Sequence, residues 1–153
     1  MMQGSEVSWM GKWGCGPFDN DSGADFSDEL AAASEPDRIE MLRTALAEVA
    51  YRSNHIDAGR AEVAFAAAAV TARGLDGGEE FQPENLVSSE GVPLVPDDLM
   101  KLAREAVDRL LEGDNDVSDD WTAEGGVRKY NSMLRRLRSV LANEGATGQQ
   151  GLW

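Results

Sequence analysis

The sequence has little of what builds covalent or metal cross-links, and little positive charge. Its 153 residues include one cysteine and one histidine, and 14 lysines and arginines stand against 28 aspartates and glutamates. One cysteine cannot form a disulfide within the chain, so a hydrophobic core has to stabilise the fold, and the chain is long enough to build one. The formal net charge of −14 favours a partner with a basic surface and opposes binding to nucleic acid or to an anionic membrane.

Long apolar runs are also missing. No stretch approaches the roughly 18 consecutive apolar residues of a membrane-spanning helix, and the N-terminus lacks the basic and then apolar segments of a secretory signal. We therefore expect a cytoplasmic protein, and no motif in the sequence predicts a cofactor. A hydrophobic fraction of 42% is typical of folded domains, which favours an acidic folded domain over a disordered chain.

The most distinctive stretch is residues 9–30, which combines an aromatic and glycine-rich turn with the start of a helix. Glycine and proline between two large aromatic side chains predict a tight turn that packs against the core. Ser22 and Asp25 fit a capping pattern at the start of the first helix. The residues to which we assign this structural role are Trp13, Gly14, Gly16, Phe18, Asn20 and Asp21.

The pattern M-G-x-W-G-x-G-x-F-x-N-D over residues 10–21 resembles the opening of the bacterial domain-of-unknown-function family 4259. About twenty residues carry the resemblance, and the rest of the chain is similar in its all-helical pattern. The family has no established chemistry, so the resemblance implies no activity. Members commonly begin at the methionine that corresponds to Met10, which implies that residues 1–9 are an extension or an upstream start. We expect this extension to be disordered. Relatives often have another small residue in place of Cys15, which argues against thiol chemistry.

Apolar residues at helical spacing predict an all-α, single-domain bundle of about five helices within residues 10–143. Expected helices cover about 22–33, 36–52, 58–73, a segment from Pro96, and 127–142. Ser34 is placed to cap the second of these helices, in which Leu42, Leu46 and Val49 follow helical spacing. Gly125 and Gly126 can separate a short helix after Trp121 from the last one. The third helix is the most apolar and is predicted to be central. Residues 74–95 are predicted to form a long irregular connection, and residues 144–153 a flexible tail.

Several constellations could carry chemistry. Asp19, Asp21 and Asp25 resemble the start of a calcium loop, but a glycine comes one position too early and Leu30 replaces the final glutamate; helix capping is the favoured interpretation, with no metal. Cys15 and His55 would form a nucleophile and base only if the fold brought them together. The second acidic run, around Asp114, lacks the Glu-x-x-His ligands of a dinuclear centre.

Five basic residues cluster in the last helix: Arg128, Lys129, Arg135, Arg136 and Arg138. Nucleic-acid binding is opposed by the acidic remainder of the chain. We expect this face to pair with the acidic N-terminal helices or to form a contact between copies.

The favoured hypothesis is a non-enzymatic acidic binding protein of an immunity or regulatory type, which masks a basic bacterial partner such as the cleft of a toxin. The physical reason is electrostatic steering; the analogy is to small acidic bacterial domains thought to be immunity proteins. A metal-dependent enzyme that uses residues 19–28 and a structural homo-oligomer remain alternatives. Trp121 could serve an interface or the core equally well. The expected partner contacts are Asp97, Asp98, Asp114, Asp116, Asp119, Asp120 and Trp121.

Overall fold

The computed structural model describes residues 14–73, 75, 81 and 95–152, and residues 143–152 by their backbone alone. Six helices make up this part of the chain, and it contains no strand. The prediction of an all-α bundle is confirmed, with one helix more than the five expected, because the short segment before Gly125 is a helix of its own. The helices are α1 (Asp21–Ala32), α2 (Glu35–Ala50), α3 (Ala58–Ala72), α4 (Asp97–Leu111), α5 (Asp116–Glu124) and α6 (Val127–Leu152).

Helix α3 lies at the centre of the bundle, as its composition predicts. Ten of its 15 residues are buried, and it packs against each of the other five helices. Alanine occupies most of the buried positions, and its small side chain lets neighbouring helices approach closely. The helix can therefore form the core on several sides at once.

The apolar stripes of the surrounding helices close the core around α3. Phe65 of α3 meets Tyr130 of α6 edge to face, with ring centroids 5.7 Å apart, an arrangement that aromatic rings favour. Phe81, from the segment between α3 and α4, is also buried. The other large core side chains come from α1, α2, α4 and α6: Phe26, Leu30, Leu42, Leu46, Val49, Leu99, Leu110, Leu134, Leu137 and Leu141.

Side-chain caps begin four of the helices, α1, α2, α3 and α5, and one of these caps differs from the prediction. Asn20, and not Ser22, caps α1: its backbone is extended and its side-chain oxygen accepts a hydrogen bond from the Gly23 N–H at 2.6 Å. Ser22 already lies inside the helix. A capping side chain must come from the residue just before the helix, where it can accept a hydrogen bond from an N–H group of the first turn. Ser34 caps α2 as predicted, with Pro36 in the first turn.

Helix ends differ by larger amounts. Helix α2 ends at Ala50, before the expected end at 52, whereas α6 continues past 142 to Leu152. Proline is missing from the whole of α6, so no residue removes a backbone donor from its hydrogen-bond ladder. Within the described residues, no helix combines the length and the apolar character that crossing a bilayer requires. Residues 1–9, Trp13 and most of 74–95 lie outside the described residues.

Candidate functional site

Two interhelical segments, residues 51–57 between α2 and α3 and residues 112–115 between α4 and α5, meet at one end of the bundle. We call this hydrogen-bonded pair of segments the platform. The Ile56 N–H donates to the Asp114 carbonyl at 3.2 Å, and the Asp116 N–H donates to the Ile56 carbonyl at 2.9 Å. Asn115, between them, is fully buried; its amide oxygen accepts from the Ser118 N–H and its amide nitrogen donates to the Leu110 carbonyl. The segment between α2 and α3 is thereby fixed to the segment between α4 and α5.

This platform places the chain's histidine among three aspartates. The Nδ1 atom of His55 lies 2.7 Å from Asp114 Oδ1. Its Nε2 atom lies 2.7 Å from Asp116 Oδ1 and 3.8 Å from Asp119 Oδ2. The hydrogen bonds to Asp114 and Asp116 raise the pKa of His55 above its ordinary value, because both carboxylates favour the protonated ring. In return, the pKa of Asp114 is lowered, first by His55 and then by Arg109.

Arg109 supports this cluster from the interior. Its side chain is 9% exposed, yet its Nε and Nη2 atoms donate to the carbonyl oxygens of Arg52 and Asn54, each at 2.8 Å. Nη2 also reaches Asp114 Oδ2 at 3.4 Å. A buried guanidinium needs such partners, and here they hold the histidine-bearing segment and Asp114 in place. The cluster can bind a cation; among the described residues it contains no nucleophile beside the histidine.

A second feature is a groove between α1, α2 and α3, of about 360 Å³. Met41, Ala45 and Val63 are half-buried on its floor, and Phe26 of α1 also lines it. Carboxylates surround this apolar floor, and one of them already has a partner, since the Arg60 Nε atom donates to Glu48 at 3.1 Å. The exposed residues that line the groove are Glu29, Glu40, Thr44 and Glu48.

The N-terminal turn closes over a small cavity of about 10 Å³, about the room of one water molecule. A Cβ at Gly14 or Gly16 would come within 2.6 or 2.7 Å of Asp19 Oδ2, so a larger residue would displace the carboxylate that accepts the Gly16 N–H at 3.1 Å. Cys15 and Tyr130 line the cavity. The aromatic and glycine motif therefore acts as a cover over α3 and α6, as far as the described residues extend.

The comparison with known families decides the chain's membership. A family model, the domain of unknown function DUF4259, matches residues 11–132, a range that contains the N-terminal turn, helices α1 to α5 and the start of α6. The chain belongs to the DUF4259 family. The resemblance drawn from residues 10–21 is confirmed at the level of the family. No curated protein and no solved structure matches the chain.

Within this DUF4259 domain, the predicted contact residues separate into two groups. Asp114, Asp116 and Asp119 come together around His55, with Asp120 exposed beside them. Asp97 and Asp98 lie at the other end of α4, a helix of 15 residues and hence about 20 Å long; Asp98 pairs with Arg43 of α2. Trp121 is half-buried against the core and covers Gly126.

The other candidates of the DUF4259 chain have local roles. Asp19 accepts a hydrogen bond in the turn, while Asp21 and Asp25 are exposed on α1. Cys15 lies at the cavity beside Tyr130, whereas both ring nitrogens of His55 face aspartates, so the structure does not pair this cysteine with this histidine.

In the described residues α6 packs against α4, so the expected pairing with the N-terminal helices does not apply to Arg138, and a contact of the basic face between copies stays a prediction. Arg138 of α6 donates to Asp108 of α4 at 2.7 Å.

Sequence reasoning missed two arrangements. His55 was considered only as a possible base for Cys15, and no local signal links it to Asp116, which lies 61 positions away. A weak sequence pattern does indicate the groove. Met41, Ala45 and Glu48 follow helical spacing beside the buried apolar face of α2, so this helix has a second, partly apolar face.

Proposed function

We propose that this protein is a non-enzymatic acidic binding protein of an immunity or regulatory type, acting in the cytoplasm, which masks a basic bacterial protein. The observation that carries the proposal is the groove between α1, α2 and α3. An apolar floor framed by carboxylates fits a partner segment in which an apolar side chain is flanked by lysines or arginines.

The groove and the net charge play different parts in this proposal. The apolar floor supplies affinity, since burial of a partner's aromatic or aliphatic side chain contributes roughly 25 cal/mol per Å². Glu29 and Glu40 are exposed at the groove, where they select for positive charge. The net charge of −14 attracts a basic surface over a longer range and speeds association.

The aspartates at the platform contribute less to this binding than the sequence implies. His55 and Arg109 already neutralise part of the charge of Asp114 and Asp116, and Asp98 is paired with Arg43. We assign these aspartates to a supporting role in steering, and the main contact to the groove.

The test compares two alanine-to-arginine variants with the same charge change. Ala45→Arg places a bulky cation on the groove floor, whereas Ala123→Arg places one on an exposed position of α5. Each protein captures binding proteins from a lysate of its own source organism, at low and at high salt, and circular dichroism checks that both variants fold.

We expect a basic protein to bind the wild type and Ala123→Arg at low salt, and to be lost at high salt and on Ala45→Arg. With the purified partner, Ala45→Arg should weaken binding by at least about tenfold, which is about 1.4 kcal/mol. Equal binding to both variants would overturn the assignment of the groove. Retention of the partner at high salt would overturn the role of charge, and capture of the protein's own copies alone would favour a homo-oligomer.

A further inference from the structure

The platform brings together one imidazole nitrogen and two carboxylates in a way that fits a metal ion. The ligand atoms of His55, Asp116 and Asp119 all lie within 4.8 Å of one another. Around a tetrahedral zinc ion, with bonds of about 2.0–2.2 Å, neighbouring ligand atoms stand roughly 3.3–3.6 Å apart. His55 and Asp119 are exposed and Asp116 is half-buried, so small side-chain rotations can place all three around one ion.

The environment of His55 also matches that of a metal-bound histidine. Such histidines donate the second ring N–H to a carboxylate, which sets the tautomer and the orientation of the ring. Here Asp114 lies 2.7 Å from Nδ1, so Nε2 is the nitrogen left to face Asp116 and Asp119. Arg109, buried behind Asp114, fixes that carboxylate to the backbone of the opposite segment.

The charge of the cluster gives a separate argument. Asp114, Asp116 and Asp119 carry three negative charges, and Glu112 adds a fourth, since it also pairs with the Arg109 guanidinium. Arg109 and a protonated His55 supply two positive charges, and only one remains when His55 gives up a proton to bind a metal ion. Like charges held this close by a rigid backbone are unfavourable, and a divalent cation would neutralise the excess.

We propose that His55, Asp116 and Asp119 bind one divalent transition-metal ion, with zinc as the best fit, and that Asp114 is a positioning residue. A mixed set of one nitrogen and two oxygen ligands suits zinc, whereas calcium and magnesium prefer oxygen ligands alone. Water completes the coordination. The ion ties the segment before α3 to the start of α5, and this role is independent of the groove.

The test measures binding of zinc, and of magnesium and calcium for comparison, to chelator-treated protein by calorimetry. His55→Gln and Asp116→Asn each remove one ligand. Asp120→Asn is the matched control, because it removes the same charge one residue beyond Asp119 without removing a ligand. Circular dichroism establishes that each variant is folded.

We expect one zinc ion per chain, with affinity reduced more than about 100-fold by loss of a ligand and about 10- to 100-fold by Asp114→Asn. Asp120→Asn should change it less than about threefold, as expected for a charge outside the coordination shell. Zinc should also raise the melting temperature of the wild type and of Asp120→Asn. No zinc uptake, or equal uptake by all variants, would overturn the proposal, since the latter is the behaviour of a diffuse acidic surface.

A measurement on the unmodified chain does not depend on folded variants. The chain contains one histidine, so the imidazole nitrogen signals in an NMR spectrum belong to His55. We expect zinc to shift the Nε2 signal strongly while Nδ1 keeps its proton. An unchanged imidazole spectrum at saturating zinc would overturn the proposal.

Discussion

Tyr130 is the largest of the fully buried side chains, and its hydroxyl has no hydrogen-bond partner among the described residues. Burial raises the pKa of Tyr130 far above its ordinary value of 10.0, and the nearby Glu62 and Cys15 side chains act in the same direction. Removal of the proton would leave a phenolate in a medium that cannot solvate it. The folded state is therefore tied to the neutral form of this ring.

The alkaline limit of stability should follow from this tyrosine. Its pKa is raised on folding, so its contribution to stability is complete below about pH 10, the value in the unfolded chain, and declines as the pH rises beyond that. The chain has two tyrosines, and Tyr51→Phe leaves Tyr130 as the one reporter. We expect phenolate absorbance to develop together with loss of circular dichroism, well above pH 10. Ionisation near pH 10 with the helices intact would contradict the burial of Tyr130.

Asn115 joins two helices through one side chain. It caps α5 and donates to the last turn of α4, and it is fully buried. In metal-free protein, we expect Asn115→Ala to lower the free energy of unfolding by about 2–3 kcal/mol, because it removes a buried cap and leaves the N–H of the buried Ser118 without its acceptor. Ser34→Ala removes an exposed cap and should cost about 1 kcal/mol or less. Urea denaturation measures both, and equal losses would contradict the special role of burial at Asn115.

At the scale of elements, the contact between the N-terminal turn and α1 depends on a glycine without any positive φ. A Cβ at Gly23 would stand 2.3 Å from the Pro17 carbonyl oxygen and 3.1 Å from Asn20 Oδ1. Both the turn and the cap would have to move. We expect Gly23→Ala to cost about 2 kcal/mol, a typical value for overpacking.

Gly59 is the matched control, since it also lies in the first turn of a helix. A Cβ at this position would stand 3.3 Å from Asp57 Oδ2, an atom at the end of a side chain that can adjust. We expect Gly59→Ala to be neutral or to stabilise by up to about 1 kcal/mol, because alanine favours helix. Thermal unfolding measures both variants. A similar loss of stability in the two variants would mean that the nearby Pro17 carbonyl oxygen is not the reason why position 23 requires glycine.

The elements themselves could be predicted because their causes are local. The spacing of Leu42, Leu46 and Val49 and the serine at 34 are signals within one or two turns, and they gave α2 and its cap. Whether Asn20 or Ser22 caps α1 depends on the residue at which the backbone becomes helical, and the glycine-rich turn sets that residue. The cluster around His55 lay beyond this reasoning altogether. It exists because α3 and α4 pack side by side and bring together segments some 60 residues apart. Neither segment contains a sequence pattern that predicts its contact with the other.

At the scale of the whole molecule, the positive charges are used largely within the fold. Arg43, Arg60, Arg109 and Arg138 each pair with carboxylates of the same chain. Most of the other acidic side chains whose burial the structure describes are exposed. Exposed ion pairs contribute little, whereas repulsion among the remaining carboxylates acts across the entire surface. The acidity that would attract a basic partner therefore opposes folding of the isolated chain.

Moderate salt should for this reason stabilise the metal-free protein. Salt at physiological strength screens charges beyond about 8 Å, which weakens the repulsion among exposed carboxylates more than it weakens close pairs. We expect the melting temperature to rise by a few degrees as sodium chloride is added. Replacing Asp25 and Glu124, both exposed, by lysine changes the net charge from −14 by four units, to −10, so the variant should show a smaller rise. A melting temperature that falls with salt would mean that the close pairs outweigh the surface repulsion. In that case the excess negative charge would not destabilise the fold, and its neutralisation by a basic partner would not stabilise the protein.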